Sequence, residues 1–234
     1  VKRASNNDAI VDIILLTAAC EKSNMIVVGA SGHTGIARFF LGGVAEAVVR
    51  HTTDPILVTR PSSGPLQTVI IGVDGSSNAH DAVCFATSQL PVPDNCTFRL
   101  VHVISPIWEG AGGPLLFGGP PQPVLVHAAR TEKERAQRYV EALAYEAQRY
   151  VETLTDEIKG SRNPIEVQVR VGNPVEELLN AAHECNAGLI AVGSHGMSGM
   201  ARLLLGSVSD HVVRHAPCSV LVVKRPPTGR IPTE

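Results

Sequence analysis

The sequence predicts an α/β fold in which an open parallel sheet carries helices on both faces, and three observations predict it. Short apolar, β-branched runs bounded by glycine (MIVVG, TVIIGVD, LIAVG) read as strands buried on both faces. Segments with apolar residues at helical spacing alternate with them, and that alternation implies crossover connections between parallel strands. A strand, glycine loop, helix, strand unit occurs twice without a gap, at residues 25 to 58 and 189 to 222.

The elements follow in chain order. Ala9 to Glu21 is an amphipathic helix leading into the strand MIVVG. Ile36, Phe39, Phe40, Val44 and Val48 then recur on one helical face. The strand PILVT follows, ended by Pro61. Next come the strand TVIIGVD, a helix over Asn78 to Gln89 and the strand CTFRLVHVI. Trp108 to Val124 is too rich in Gly and Pro for regular structure and reads as a mobile loop, a candidate lid. Thr131 to Lys159 reads as a long helix in which AQRYVEAL returns eleven residues later as AQRYVETL. That spacing puts Tyr139 and Tyr150 on one face, set against the sheet. IEVQVRV is a further strand, and Pro174 opens a helix reaching Cys185. The second copy closes the series with LIAVG, the helical face Met200, Leu203, Leu204, Val208, Val212, and SVLVV before Pro226.

Residues 1 to 61 thus hold only the latter half of such a unit, 62 to 65 link, 66 to 225 form a complete one, and 226 to 234 are a tail. Half a doubly wound domain leaves an apolar sheet edge bare. The segment is therefore expected to pair with the full domain, with a second chain or with a further piece.

Composition narrows the function classes. Hydrophobic residues make up 44% and charged residues 18%, which supports sizeable cores, and a net charge of -2 gives no basic footprint for nucleic acid. No apolar run reaches membrane-spanning length, and VKRASNND does not read as a signal peptide, so the expectation is a cytoplasmic protein without membrane partners. Cys20, Cys84, Cys96, Cys185 and Cys218 are odd in number and never in C-x-x-C spacing, so they read as reduced, mostly buried thiols. His211 and His215 stand four apart, but HVVRH lacks the glutamate of H-E-x-x-H, and no metal site is expected.

The chemistry concentrates in the loop Gly193, Ser194, His195, Gly196, Met197, Ser198, Gly199, followed by Gly206 and Ser207, a G-x2-G-x9-G-S spacing. Glycines directly after a buried strand let the backbone approach a bound group closely, and amides there attract anions. Asp74 ends the strand TVIIGVD, where open parallel sheets bind ligands. Its carboxylate can accept from a ribose hydroxyl pair, or it can cap the helix starting near Ser76. Neither G-x4-G-K-[ST] nor a strand followed by G-x-G-x-x-G is present, which favours binding over fast, metal-centred phosphoryl transfer.

Together the spaced glycines, the Asp-tipped strand, LVHV and RLLLGSVSDHVVRHAPCSVLVV resemble the ATP-binding branch of the universal stress protein family, fully over 66 to 225 and partly over 1 to 61. The resemblance implies an adenine nucleotide alpha-hydrolase-like sheet of five strands in the order 3-2-1-4-5, and pairing through the last strands, either in a homodimer or between SVLVV and PILVT of one chain. It implies ATP, with or without Mg²⁺, as ligand. Gly72 and Asp74 would hold the ribose and Val103 would line the adenine pocket. Gly193 to Gly199 would wrap the phosphates, and Gly206, Ser207, Val208 and Ser209 would complete the cradle. The implied role is a stress-response module of tandem type, regulated by nucleotide and hydrolysing it slowly if at all. The rival readings are an ATPase or nucleotidyl transferase of this architecture, an interaction protein with an empty loop, and a binder of cyclic nucleotide.

The first copy departs from the pattern, with Gly43 where the second has Ser207 and Ser31 where it has His195, and it lacks an Asp-tipped strand. Its Gly29, Gly32, Gly35 and Gly42 are expected to form no independent site. His195 has no nucleophile partner in the sequence pattern and is assigned a shaping or phosphate-contacting role rather than acid-base catalysis.

Overall fold

The computed structural model describes residues 6–30, 41–61, 66–105, 141, 145, 148–156, 158, 161–196 and 205–224. In chain order the elements are α1 (Asn6–Cys20), β1 (Ile26–Gly29), α2 (Gly43–His51), β2 (Ile56–Thr59), β3 (Thr68–Val73), α3 (Ser77–Ser88) and β4 (Thr97–Ile104). A helical stretch over 148–156 (α4) comes next. It is followed by β5 (Ile165–Val171), α5 (Pro174–Glu184), β6 (Leu189–Gly193), α6 (Ser207–His215) and β7 (Ser219–Val223). The Trp108 to Val124 loop, Tyr139, and the helical positions Ile36, Phe39, Phe40, Met200, Leu203 and Leu204 lie outside the described residues.

Local chemistry sets the helix ends. Ser76 caps α3 by accepting the Ala79 amide at 3.1 Å, and Asn173 caps α5 by accepting the Val175 amide at 2.9 Å, with Pro174 in the first turn. After α1 and α5 the chain turns through Lys22 (φ 51°) and Asn186 (φ 50°). These two lie at matching positions of the repeat, which therefore preserves its turn geometry.

Seven strands form one sheet in the order β1-β2-β7-β6-β3-β4-β5. Every neighbouring pair is parallel except β2 and β7. The run β5-β4-β3-β6-β7 is the expected 3-2-1-4-5 order, and β1 and β2 extend it to a mixed, seven-stranded sheet. One face buries Val48 and Val49 of α2, Leu178, Ala181 and Ala182 of α5, and Val212 and Val213 of α6, with Val11 of α1. The other buries Ala82, Val83 and Ala86 of α3 and Val151 and Leu154 of α4 against Phe98, Leu100 and Leu221. Tyr150 packs there, edge-on to His102 with ring centroids 6.3 Å apart.

The join between the copies is symmetric. Across β2 and β7, Ile56 faces Val222, Leu57 faces Leu221 and Val58 faces Val220. Leu57 and Leu221 are repeat equivalents, so a local two-fold axis passes between them. Arg214 of α6 links the halves, pairing with its own Asp210 at 2.9 Å and with Glu46 of α2 at 2.7 Å. The apolar segment thus pairs with the full unit of the same chain. Among the described residues β1 has β2 as its one neighbour, and Val27 on it is exposed. None of the five cysteines forms a disulfide, but the expectation of mostly buried ones needs correction: Cys96 and Cys218 are buried, Cys84 and Cys185 half-buried, and Cys20 exposed.

Candidate functional site

Strands β3 and β6 are parallel neighbours, yet the chain leaves β3 for β4 on one side and β6 for β7 on the other. Their carboxyl ends therefore flank the point where strand order reverses, which opens a crevice between the following loops. Asp74 stands at the tip of β3, and Ser194 to Gly196 at the tip of β6.

Asp74 is not the helix cap. Its Oδ1 accepts the Ser76 amide at 2.9 Å across a turn in which Gly75 takes φ 88°, while Ser76 itself caps α3. The second oxygen, Oδ2, stands 2.6 Å from where a Cβ on Gly196 would be. The carboxylate and the middle glycine of the loop are therefore in direct contact, 122 positions apart in sequence as Asp74 is from Gly196.

The loop is held by its own backbone. The Ser194 amide donates to Val223 O at 2.9 Å, and the Gly206 amide to Ser194 O at 2.8 Å. Buried Ser209 donates its hydroxyl to Gly193 O at 2.6 Å. Ser76 Oγ reaches His195 O at 3.5 Å, tying the start of α3 to the same loop. A Cβ on Gly193 would stand 2.6 to 2.9 Å from backbone atoms of Asn78 and Ala79, so glycine is what lets α3 lie this close to β6. A Cβ on Gly206 would meet His195 Cα and Ser194 O at 3.3 Å.

Helix α6 starts at Ser207 with Gly206 as its N-cap and no side-chain cap, unlike α3 and α5. Its first amides have no intrahelical partner, and the helix dipole places partial positive charge there. Ser207 is exposed at this end, and half-buried Val208 packs against the core. The Gly206 amide bond to Ser194 O brings the uncapped turn beside the described start of the glycine loop, and backbone amides grouped in this way suit an anionic group. The missing side chains at Gly196 and Gly206 make room for Asp74 and for the Ser194–His195 backbone, so the loop start packs closely here, and its amide-rich chemistry fits a phosphate group.

The remaining expected residues are spread around this core. Gly72 lies beneath α5, where a Cβ would be 3.2 to 3.4 Å from Leu178 and Val192, so its absent side chain seats the helix. Val103 is half-buried on β4 opposite Arg170 of β5. Ser194 is buried, its Oγ 3.1 Å from His195 Nδ1, and His195 Nε2 is buried without a partner among the described residues. Met197, Ser198 and Gly199 lie outside the described residues.

At the site itself, Ser76 and His102 escaped sequence reasoning. Ser76 anchors both α3 and the loop, and the run DGSS after a strand was its signal. His102 is buried on β4 opposite Val73, and a histidine within the apolar alternation of LVHV was the mark. Burial pushes its pKa below the ordinary 6.5, opposed by a hydrogen bond with the Val73 backbone and by the charge of Asp74.

The first copy repeats the backbone frame at the described ends of its loop, while Ser31, Gly32 and Gly35 lie outside the described residues. The Ala30 amide donates to Thr59 O at 2.9 Å and the Gly42 amide to Ala30 O at 2.7 Å, matching Ser194 and Gly206, but its strand tip faces no aspartate from a neighbouring strand among the described residues. His211 and His215 stack edge to face at 5.8 Å, and His215 Nδ1 lies 2.9 Å from the His211 carbonyl oxygen. Among the described residues no group of three or more His, Cys, Asp or Glu could hold a metal, and no helix is long and apolar enough to cross a membrane.

The chain is similar to known proteins along most of its length. It is 28% identical over 221 residues to universal stress protein MT2052 of Mycobacterium tuberculosis, an alignment covering 93% of this chain and 64% of that protein. The chain therefore spans less than two thirds of that curated relative's length. The crystal structure of a universal stress protein from Archaeoglobus fulgidus superposes with TM-score 0.54 at 21% identity, covering 93% of this chain and 67% of that one. Universal stress protein UspA from Lactobacillus plantarum gives 0.50 at 18% identity over 69% of this chain and 100% of its own. The universal stress protein family model matches residues 3–60 and 65–224. This chain belongs to the universal stress protein family.

Proposed function

We propose that this chain binds an adenine nucleotide, ATP foremost, in the crevice between the ends of β3 and β6, and acts as a nucleotide-dependent module of a stress response. The closeness of Asp74 to Gly196 carries the reading, because it sets an acidic hydrogen-bond acceptor directly beside the glycine loop that would hold the phosphates. Asp74 would hold the ribose hydroxyls, Val103 would line the adenine side, and the loop from Gly193 with the first turn of α6 would hold the phosphates. When Mg²⁺ accompanies ATP, it would be carried by the phosphates. Residues 66 to 225 form the complete unit of a tandem arrangement in this reading, in a cytoplasmic protein. The two copies pair within the chain, and β7, flanked by β2 and β6, has no free edge for a second copy.

Calorimetric titration with ATP, ADP and cyclic AMP, each with and without Mg²⁺, tests the proposal. ATP is expected to bind once per chain. Asp74→Ala is expected to weaken it by about 1.5 to 3 kcal/mol, the scale of a hydrogen bond to a charged group. Equal binding by the parent, Asp74→Ala and Gly196→Val proteins would remove the site, and preference for cyclic AMP would change the ligand. Steady phosphate release would move the reading to a slow ATPase, for which the Ser194 and His195 contact of 3.1 Å is the feature to dissect.

A further inference from the structure

Each copy of the repeat sends the basic residue after its last strand into the end of the other copy's helix. Buried Arg60, following β2, donates from Nη2 to the carbonyl oxygens of Val213 at 2.7 Å and Arg214 at 3.3 Å, in the last turn of α6. Lys224, following β7, donates from Nζ to Val49 O at 2.6 Å, Arg50 O at 3.3 Å and Thr52 O at 2.8 Å, at the end of α2. Arg60 and Lys224 occupy equivalent positions of the repeat. The exchange is reciprocal, and it gives each helix a cation where its dipole is negative and its carbonyls lack intrahelical partners.

For α6 this capping has a functional side. At nine residues the helix is too short to persist alone, since isolated helices shorter than about 12 to 15 residues are marginal in water. It must be fixed from outside at both ends. Ser209 and the Gly206 amide tie its start to the loop after β6, and Arg60 ties its finish to the first copy. The Arg214 link to Glu46 adds a second tie from the same side.

We propose that the described part of the first copy, α2 with β2 and the Arg60 that follows it, serves as a positioning element for the proposed anion site, with Arg60 as the positioning residue that acts through α6 on an amide end it does not touch. The first copy thereby sets the affinity of a site built from the second. The part of this inference that concerns affinity rests on the nucleotide reading above, whereas the part that concerns the order of α6 does not.

The test uses the full chain with three substitutions, Arg60→Met, Arg60→Lys and Lys224→Met. Hydrogen exchange at the amides of α6 is followed without ligand, and ATP titration is run alongside. Arg60→Met should speed exchange across α6, including its first turn, and weaken ATP binding about tenfold. Arg60→Lys should restore both to within about threefold, because Lys224 shows that an ammonium can fill the same role across the axis. Lys224→Met removes a matching contact from the same interface but not from α6, so it should leave α6 exchange and ATP affinity at the parent values. Equal effects of Arg60→Met and Lys224→Met would reduce the contact to general interface stability and overturn the proposal, as would α6 exchange unchanged by Arg60→Met. If the parent protein binds no ATP, the nucleotide reading fails, and the exchange data alone still decide the positioning role.

Discussion

Oδ2 of Asp74 stands 2.6 Å from the place a Cβ would take on Gly196, so the acid at the end of β3 and the loop after β6 share one small volume. Gly196→Ala would force that oxygen aside. The intruding contact is with the tip of a side chain, which can rotate at the expense of its bond to the Ser76 amide, so the stability loss should stay near 1 kcal/mol. Nucleotide affinity should fall further than stability does. Urea unfolding and ATP titration of one sample compare the two, and a variant that binds like the parent would separate Asp74 from the cradle.

Gly193→Ala should behave in the opposite way. Its Cβ would strike the backbone of Asn78 and Ala79 at 2.6 to 2.9 Å, and backbone cannot rotate clear as a side chain can. Overpacking of this kind costs about 1 to 3 kcal/mol and would pry α3 from β6. A lowered urea midpoint is the expected result, and an unchanged midpoint would mean that α3 shifts freely.

Ser209→Ala deletes the hydroxyl that holds Gly193 O at 2.6 Å in a part-buried setting. Losing a hydrogen bond of this kind costs about 0.5 to 1.5 kcal/mol. Loss of stability together with faster amide exchange in the first turn of α6 is expected. Exchange confined to parent rates would show that the helix start is held by packing alone.

Burial of His102 is expected to make stability sensitive to acid. Burial holds its pKa below the ordinary 6.5, so between the lowered folded value and 6.5 the unfolded chain binds the additional proton. Stability is therefore flat with respect to this group above 6.5 and falls as pH drops below it. Urea midpoints at neutral and mildly acidic pH should diverge for the parent and converge for His102→Gln, and parallel declines would clear His102 of the effect.

The backbone plan was legible in the sequence because the repeat fixes it. One copy of strand, glycine loop, helix and strand predicts the other, and the turn residues Lys22 and Asn186 and the facing pair Leu57 and Leu221 fall where that offset puts them. Side-chain roles were less legible. Asp74 and Ser76 are both plausible caps in the run DGSS, and only the distances show that Ser76 takes the Ala79 amide while Asp74 turns toward Gly196. Gly72 stands beside the ribose only by the family resemblance, and nothing in the sequence hints that its missing Cβ also accommodates Leu178, a contact made by tertiary packing. Arg60 gave no signal at all, since its partner carbonyls lie more than 150 positions away and become neighbours only once β2 meets β7.

The axis between Leu57 and Leu221 runs through a single polypeptide. In an assembly of identical subunits every substitution would appear on both sides of such an axis at once. Here one side can change while the other stays, and the two have already parted: arginine faces lysine across the caps, glutamate faces aspartate in the ion pairs, and only one loop has serine after its last glycine. Pairing within one chain also makes the β2–β7 interface independent of protein concentration, so dilution cannot separate the two copies.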